Sequence, residues 1–130
     1  MKRTLLTLAI TLGFVGGTGA QTSNPQKIGV DFTFGPKHKC QGISPEIHLS
    51  NVPAGVATYE IKLTDLDVPT FHHWSQTLPA EGPVIHEGAG SGYFGPCPPS
   101  GTHRYEITVV ARDGQRRAVA SGEKVVVTGR

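Results

Sequence analysis

Apolar and polar residues alternate through two stretches of this chain, and that two-residue period narrows the possible folds more than any other feature of the sequence. Tyr59, Ile61 and Leu63 share one parity while Glu60, Lys62 and Thr64 share the other, and Tyr105, Ile107, Val109 and Ala111 repeat the pattern. Successive side chains of a β-strand point to opposite faces, so each stretch reads as a strand with one buried and one solvated side. Helical periodicity is hard to find. Shorter strand-like segments run over 28–34, 46–50, 72–78, 84–86, 118–120 and 124–128, each bounded by Gly, Pro, Asn or Asp. Short strands joined by specific turns predict an all-β fold, a two-sheet antiparallel β-sandwich with little or no helix. Asp113-Gly114 falls between two strand patterns and predicts a tight hairpin that lays the last strands back on the Tyr105 strand.

The amino terminus follows a different rule. Lys2 and Arg3 precede an apolar stretch from Leu5 to Val15, followed by small residues ending Thr18-Gly19-Ala20. This is the pattern of a secretory signal over residues 1–20, too short for a membrane span, and no later run reaches the roughly 20 apolar residues of a spanning helix. The expected mature chain starts near Gln21 and is a soluble exported protein, periplasmic or secreted. Residues 21–27 are polar, contain Pro25 and read as a mobile tail, leaving residues 28–130 as one domain. The full chain carries a formal charge of +2, but both basic residues of the signal leave with it, so the mature domain is neutral. Without a basic run it offers no support for nucleic-acid binding.

Export implies an oxidising compartment, and Cys40 and Cys97 are the only cysteines, so we expect them to form a disulfide. Most of the remaining reactive chemistry is concentrated in DLDVPTFHHW at 65–74 and GPCPPSGTHRY at 95–105. Together these hold two aspartates, three histidines and a tyrosine where extended runs meet Pro-rich turns. Parity orders them further. His72 shares parity with Trp74 and Leu78, so His73 points away from that apolar side. His103 and Tyr105 share one face, and Arg104 on the other is free to pair with a structural carboxylate.

These two segments resemble the signature of the phosphatidylethanolamine-binding protein family, closest to its bacterial Raf-kinase-inhibitor-like branch. DLDVPT is similar to the family's D-P-D-x-P motif, HHW to its H-H-F or W-H-W element and GTHRY to its G-x-H-R-Y element, in the family's order. CQGISPEI followed by NVPAG resembles the block upstream of the first motif. The resemblance implies a β-sandwich with a small surface pocket that accepts phosphate-like groups, including phospholipid head groups, and no demonstrated catalytic cycle. Carried over residue by residue, it implies a ligand site made by Asp65, His73, Gly95, Pro96, Cys97, His103 and Tyr105, supported at the turn by Asp67 and Pro69. Leu66 stands where the family has its middle proline, only Phe71 separates Thr70 from His72, and the helical segment usually found after Asp113 is missing. These departures imply a minimal member with a low or open wall beside residue 71.

The residues support the same chemistry on their own terms. Two imidazoles and a phenol supply donors to anionic oxygens, while a carboxylate fixes an imidazole's tautomer and favours its charged form. A carboxylate repels a fully ionised phosphate but accepts a proton from a monoprotonated one, which predicts selection for protonated or esterified anions. Three other readings stand beside this one. Six histidines and two aspartates could bind a metal, although no H-E-x-x-H, C-x-x-C or calcium-loop pattern appears, and we assign no metal and no cofactor. His73 or His103 could act as base for Ser100 or a water in a phosphoester or ester hydrolase, but no nucleophile elbow is present. The rim from Pro96 to Pro99 could dock a partner protein. Trp74, Phe32, Phe34 and Tyr59 read as core, and His38, His48 and His86 as ordinary surface residues.

Overall fold

The computed structural model describes residues 24–130, together with Gly13, Gly16, Gly17 and Gly19. Apart from those four glycines, the secretory signal read over residues 1–20 lies outside the described residues. Eight strands follow one another: β1 (Gln26–Lys27), β2 (Gly29–Asp31), β3 (Ile47–Ser50), β4 (Val56–Asp65), β5 (Trp74–Pro79), β6 (Val84–Ile85), β7 (His103–Asp113) and β8 (Ala118–Thr128). They form two sheets, one of five strands in the order β1-β8-β7-β4-β5 and one of three in the order β2-β3-β6. Among the described residues the helical content is one 3-10 turn, Pro36–His38. The protein is therefore all-β in two sheets.

The alternating stretches build its centre. In the β4–β7 register Tyr59 faces Ala111, Ile61 faces Val109 and Leu63 faces Ile107. Each of these side chains is buried, as are Val30, Ile47, Leu49 and Ile85 from the smaller sheet and Trp74 from β5. The core lies between the sheets, where burying each large apolar side chain contributes roughly 1.5–3 kcal/mol. The inward row of β4 and β7 continues past the apolar residues. Its next pair is Asp65 opposite Tyr105, so the parity that fills the core also carries polar groups to one end of it.

Three details depart from the sequence reading. Gln26 and Lys27, placed in the tail, pair with Ala120 and Ser121 as the single parallel pair of the larger sheet. Ile28 anchors them in the core, and Lys27 Nζ lies 2.7 Å from Glu123. Segments 118–120 and 124–128 are one strand, β8. Ser121-Gly122-Glu123 resembles a loop in sequence, but Gly122 is there because a Cβ would lie 2.2 Å from the carbonyl oxygen of Ile28. The hairpin at Asp113 is also wider than a two-residue turn: Asp113 Oδ1 accepts the N–H groups of Gln115 and Arg117, and Arg116 takes the left-handed conformation at φ 65°.

Candidate functional site

Asp65 ends β4 with 3% of its surface exposed and gathers three donors. Its Oδ1 accepts the backbone N–H of Asp67 at 2.8 Å and of Val68 at 3.0 Å, an Asx turn that reverses the chain towards Pro69. Its Oδ2 accepts from His103 Nδ1 at 2.7 Å. Burial alone would raise the Asp65 pKa, but the His103 hydrogen bond and the two N–H groups outweigh it and hold the carboxyl below the usual range. An ionised Asp65 fixes the proton on His103 Nδ1 and leaves Nε2 as the free ring atom.

Both aspartates hold the turn, Asp65 from within it. Asp67 latches the turn to β7, accepting the Arg104 backbone N–H at 2.7 Å and its guanidinium Nη2 at 2.9 Å. That hydrogen-bonded pair lowers the Asp67 pKa and raises that of Arg104. Leu66 takes part as well: its N–H donates to Arg104 O at 2.8 Å, a bond that a proline at this position could not make. Pro69 is exposed and lies outside the cavity described below.

His73 reaches the site from an irregular segment rather than a strand. Its Nδ1 donates to Phe94 O at 2.8 Å while Phe94 N–H donates to His73 O at 2.9 Å, pairing the two residues in both directions. The parity argument fails at His72, which is exposed although Trp74 is buried, because β5 begins only at Trp74. Both His73 and Trp74 turn inward, His73 with 4% of its surface exposed. Its ring meets Tyr105 edge-on at 5.4 Å, and the His103 ring stacks on Tyr105 at 6.2 Å. Burial, reinforced by the Asp65 charge, pushes the Tyr105 phenol up to about 12.

The third wall is the loop before β7. Cys97 is joined to Cys40 by a disulfide with Cα atoms 4.8 Å apart, and Cys40 also exchanges backbone hydrogen bonds with Gly95 and Pro96. Gly95 and Pro96 are buried and do not line the cavity. They back its wall, and a Cβ on Gly95 would lie 1.9 Å from His38 O.

These elements enclose a cavity of ≈ 300 Å³. Asp65, His73, Cys97, His103 and Tyr105 bound it, together with Pro98 of the rim and four residues to which the sequence reading gave no lining role, Val68, Phe71, Phe94 and Pro99. Phe71 is 48% exposed, and the available signal was a large aromatic residue standing outside the strand pattern, between the Asp65 turn and the histidine pair. Neither imidazole Nε2 in the site has a hydrogen-bond partner among the described residues, and no fully enclosed side-chain polar atom there lacks one. Both Nε2 atoms are therefore open to solvent. Elsewhere, His38 is buried rather than an ordinary surface residue: its Nδ1 accepts the Gly35 N–H and its Nε2 donates to Glu87 at 2.8 Å. Ser100 is exposed and does not line the cavity. Among the described residues, no group of three or more His, Cys, Asp or Glu side chains is placed to hold a metal ion, and no helix is long and apolar enough to cross a membrane.

A two-sheet sandwich with a histidine, aspartate and tyrosine cavity at one end defines the class that comparison with known proteins identifies. The family model for the phosphatidylethanolamine-binding protein matches residues 18–127. The chain is 34% identical over 111 residues to the UPF0098 protein YbhB of Escherichia coli, covering 67% of this chain and 70% of that one. It is 37% identical over 98 residues to a UPF0098 protein of Aquifex aeolicus, covering 57% of each. Its fold matches the crystal structure of Escherichia coli YbcL, described as a new member of the mammalian PEBP family. That match has a TM-score of 0.63 and 19% identity and covers 80% of this chain and 98% of that one. The chain belongs to the phosphatidylethanolamine-binding protein family.

Proposed function

We propose that this is an exported, non-catalytic binding protein whose cavity receives a small anion bearing a phosphate-like group, phospholipid head groups among them. One observation carries the reading: His73 and His103 have their Nδ1 atoms tied back, to Phe94 O and Asp65, so that both Nε2 atoms are left to a ligand in the same cavity. The Tyr105 phenol, with its pKa pushed up to about 12, stays protonated across the physiological range and adds a hydroxyl donor. Asp65 already accepts three hydrogen bonds, so what capacity it retains suits the proton of a monoprotonated anion or the neutral side of an ester. The disulfide is compatible with an exported location.

Histidine as a class changes charge between about pH 5 and pH 8. Calorimetric titration with inorganic phosphate should therefore give tighter binding at about pH 5 than at about pH 9, and His103→Ala and His73→Ala should each weaken it at least tenfold, about 1.4 kcal/mol. Equal affinity at the two pH values would show that imidazole charge does not hold the ligand.

A further inference from the structure

Half of the cavity wall contributes nothing to holding an anion. Phe71 lies with its ring 4.7 Å from that of His73 and 5.5 Å from that of Phe94. Phe71 and Val68 line the cavity while 48% and 41% exposed, which places them at its mouth, whereas Asp65, His73 and Tyr105 are each less than 5% exposed and lie at its floor. Polar groups below and rings above give the cavity a direction. An inorganic anion seated on the two Nε2 atoms would leave the mouth in water, whereas a substituent on that anion would cover it.

The site also discriminates between substituents. Among the described residues Asp65 is the sole carboxylate lining the cavity, and it lies at the floor, hydrogen-bonded to His103 and the two turn N–H groups and beside the seat of the phosphate. An ammonium carried on a substituent at the mouth would find no carboxylate beside it. Its remaining attraction would be cation–π contact with a half-exposed ring, which is weak. A flat apolar substituent would instead gain ring-to-ring contact with Phe71 and Phe94 and displace water from Val68. At ≈ 300 Å³ the cavity is at the small end of ligand pockets and suits a single ring with its phosphate.

Building on the anion-receptor reading, we infer that the ligand class is a phosphomonoester with a small apolar arm, aryl or short alkyl, its phosphate on His73 and His103 and its arm against Phe71 and Phe94. The test is calorimetric titration of the mature protein at about pH 5 with phenyl phosphate, inorganic phosphate and phosphoethanolamine. Phenyl phosphate is expected to bind at least tenfold more tightly than either of the others. Phe71→Ala should collapse that ratio towards one, and Phe71→Leu should keep part of it; because residue 71 is exposed, neither change threatens the fold. Comparable affinities for phenyl phosphate and phosphoethanolamine, or a preference that survives Phe71→Ala, would overturn the inference while leaving the anion receptor standing. If none of the three binds, the receptor reading fails and this one fails with it.

Discussion

At the scale of single residues, Asp65 does the most. It closes a turn through Oδ1 and orients an imidazole through Oδ2, so its substitutions separate the two jobs. Asp65→Asn keeps a carbonyl oxygen for the turn N–H groups but loses the ionic bond to His103. It should destabilise the protein by about 2 kcal/mol, the range for a hydrogen bond to a charged group, with Asp65→Ala costing more because the turn donors are also orphaned. Urea denaturation of the three proteins measures this order. The pH dependence has a definite sign. The folded-state pKa of Asp65 lies below its ordinary value of 3.8, so its contribution is complete above that value and disappears as pH falls through the lower folded one. Asp67, exposed and paired with Arg104, acts in the same direction. The urea midpoint should therefore fall only below about pH 4, and Asp65→Asn should flatten part of that fall. The residue types of the site were readable from its motifs. The division of labour between Asp65 and Asp67 was not, because it depends on which backbone N–H groups each carboxylate meets after the chain has turned. Phe71 and Phe94 escaped because neither is part of the alternating pattern or a polar group: Phe71 is an apolar residue inside DLDVPTFHHW, and Phe94 lies just before GPCPPSGTHRY.

At the scale of elements, alternation identified β4 and β7 closely because each has one buried and one open face, and the period survives in the residue order. It misread β8 as two pieces because Gly122 looks like a break when the chain packing over it is unknown. The same blindness made Gln26 and Lys27 a tail: their polarity is real, and their pairing follows from Ile28, the next residue, being held in the core. This gives a second expectation. Gly122→Ala places a Cβ against the carbonyl oxygen of Ile28, and backbone cannot move aside as a flexible side chain can. The variant should lose about 1–3 kcal/mol, the usual cost of overpacking. It should also raise amide hydrogen exchange at Ile28, whose N–H bonds to Ser121 O at 3.0 Å, more than at the β4–β7 pairs in the middle of the sheet.

At the scale of the whole molecule, the disulfide decides how the two sheets and the cavity wall depend on one another. Cys40 lies between β2 and β3 of the smaller sheet, and Cys97 lies shortly before β7 of the larger, so the bond closes a loop of sequence separation 57 that contains β3 to β6. On the chain-entropy model, a cross-link of that span stabilises the fold by about 4 kcal/mol, acting mainly on the unfolded chain. The wall is not held by sulfur alone: Gly95 N–H donates to Cys40 O at 2.7 Å and Cys40 N–H to Pro96 O at 3.1 Å, and neither bond involves a sulfur atom. The paired substitution Cys40→Ala with Cys97→Ala should therefore lower the denaturation midpoint strongly while changing phosphate affinity by less than about threefold under conditions where the variant is folded. Chemical denaturation and calorimetry on the same preparation distinguish the two effects. A large loss of affinity in the folded variant would mean that the disulfide, rather than the backbone pairing beside it, sets the position of the wall.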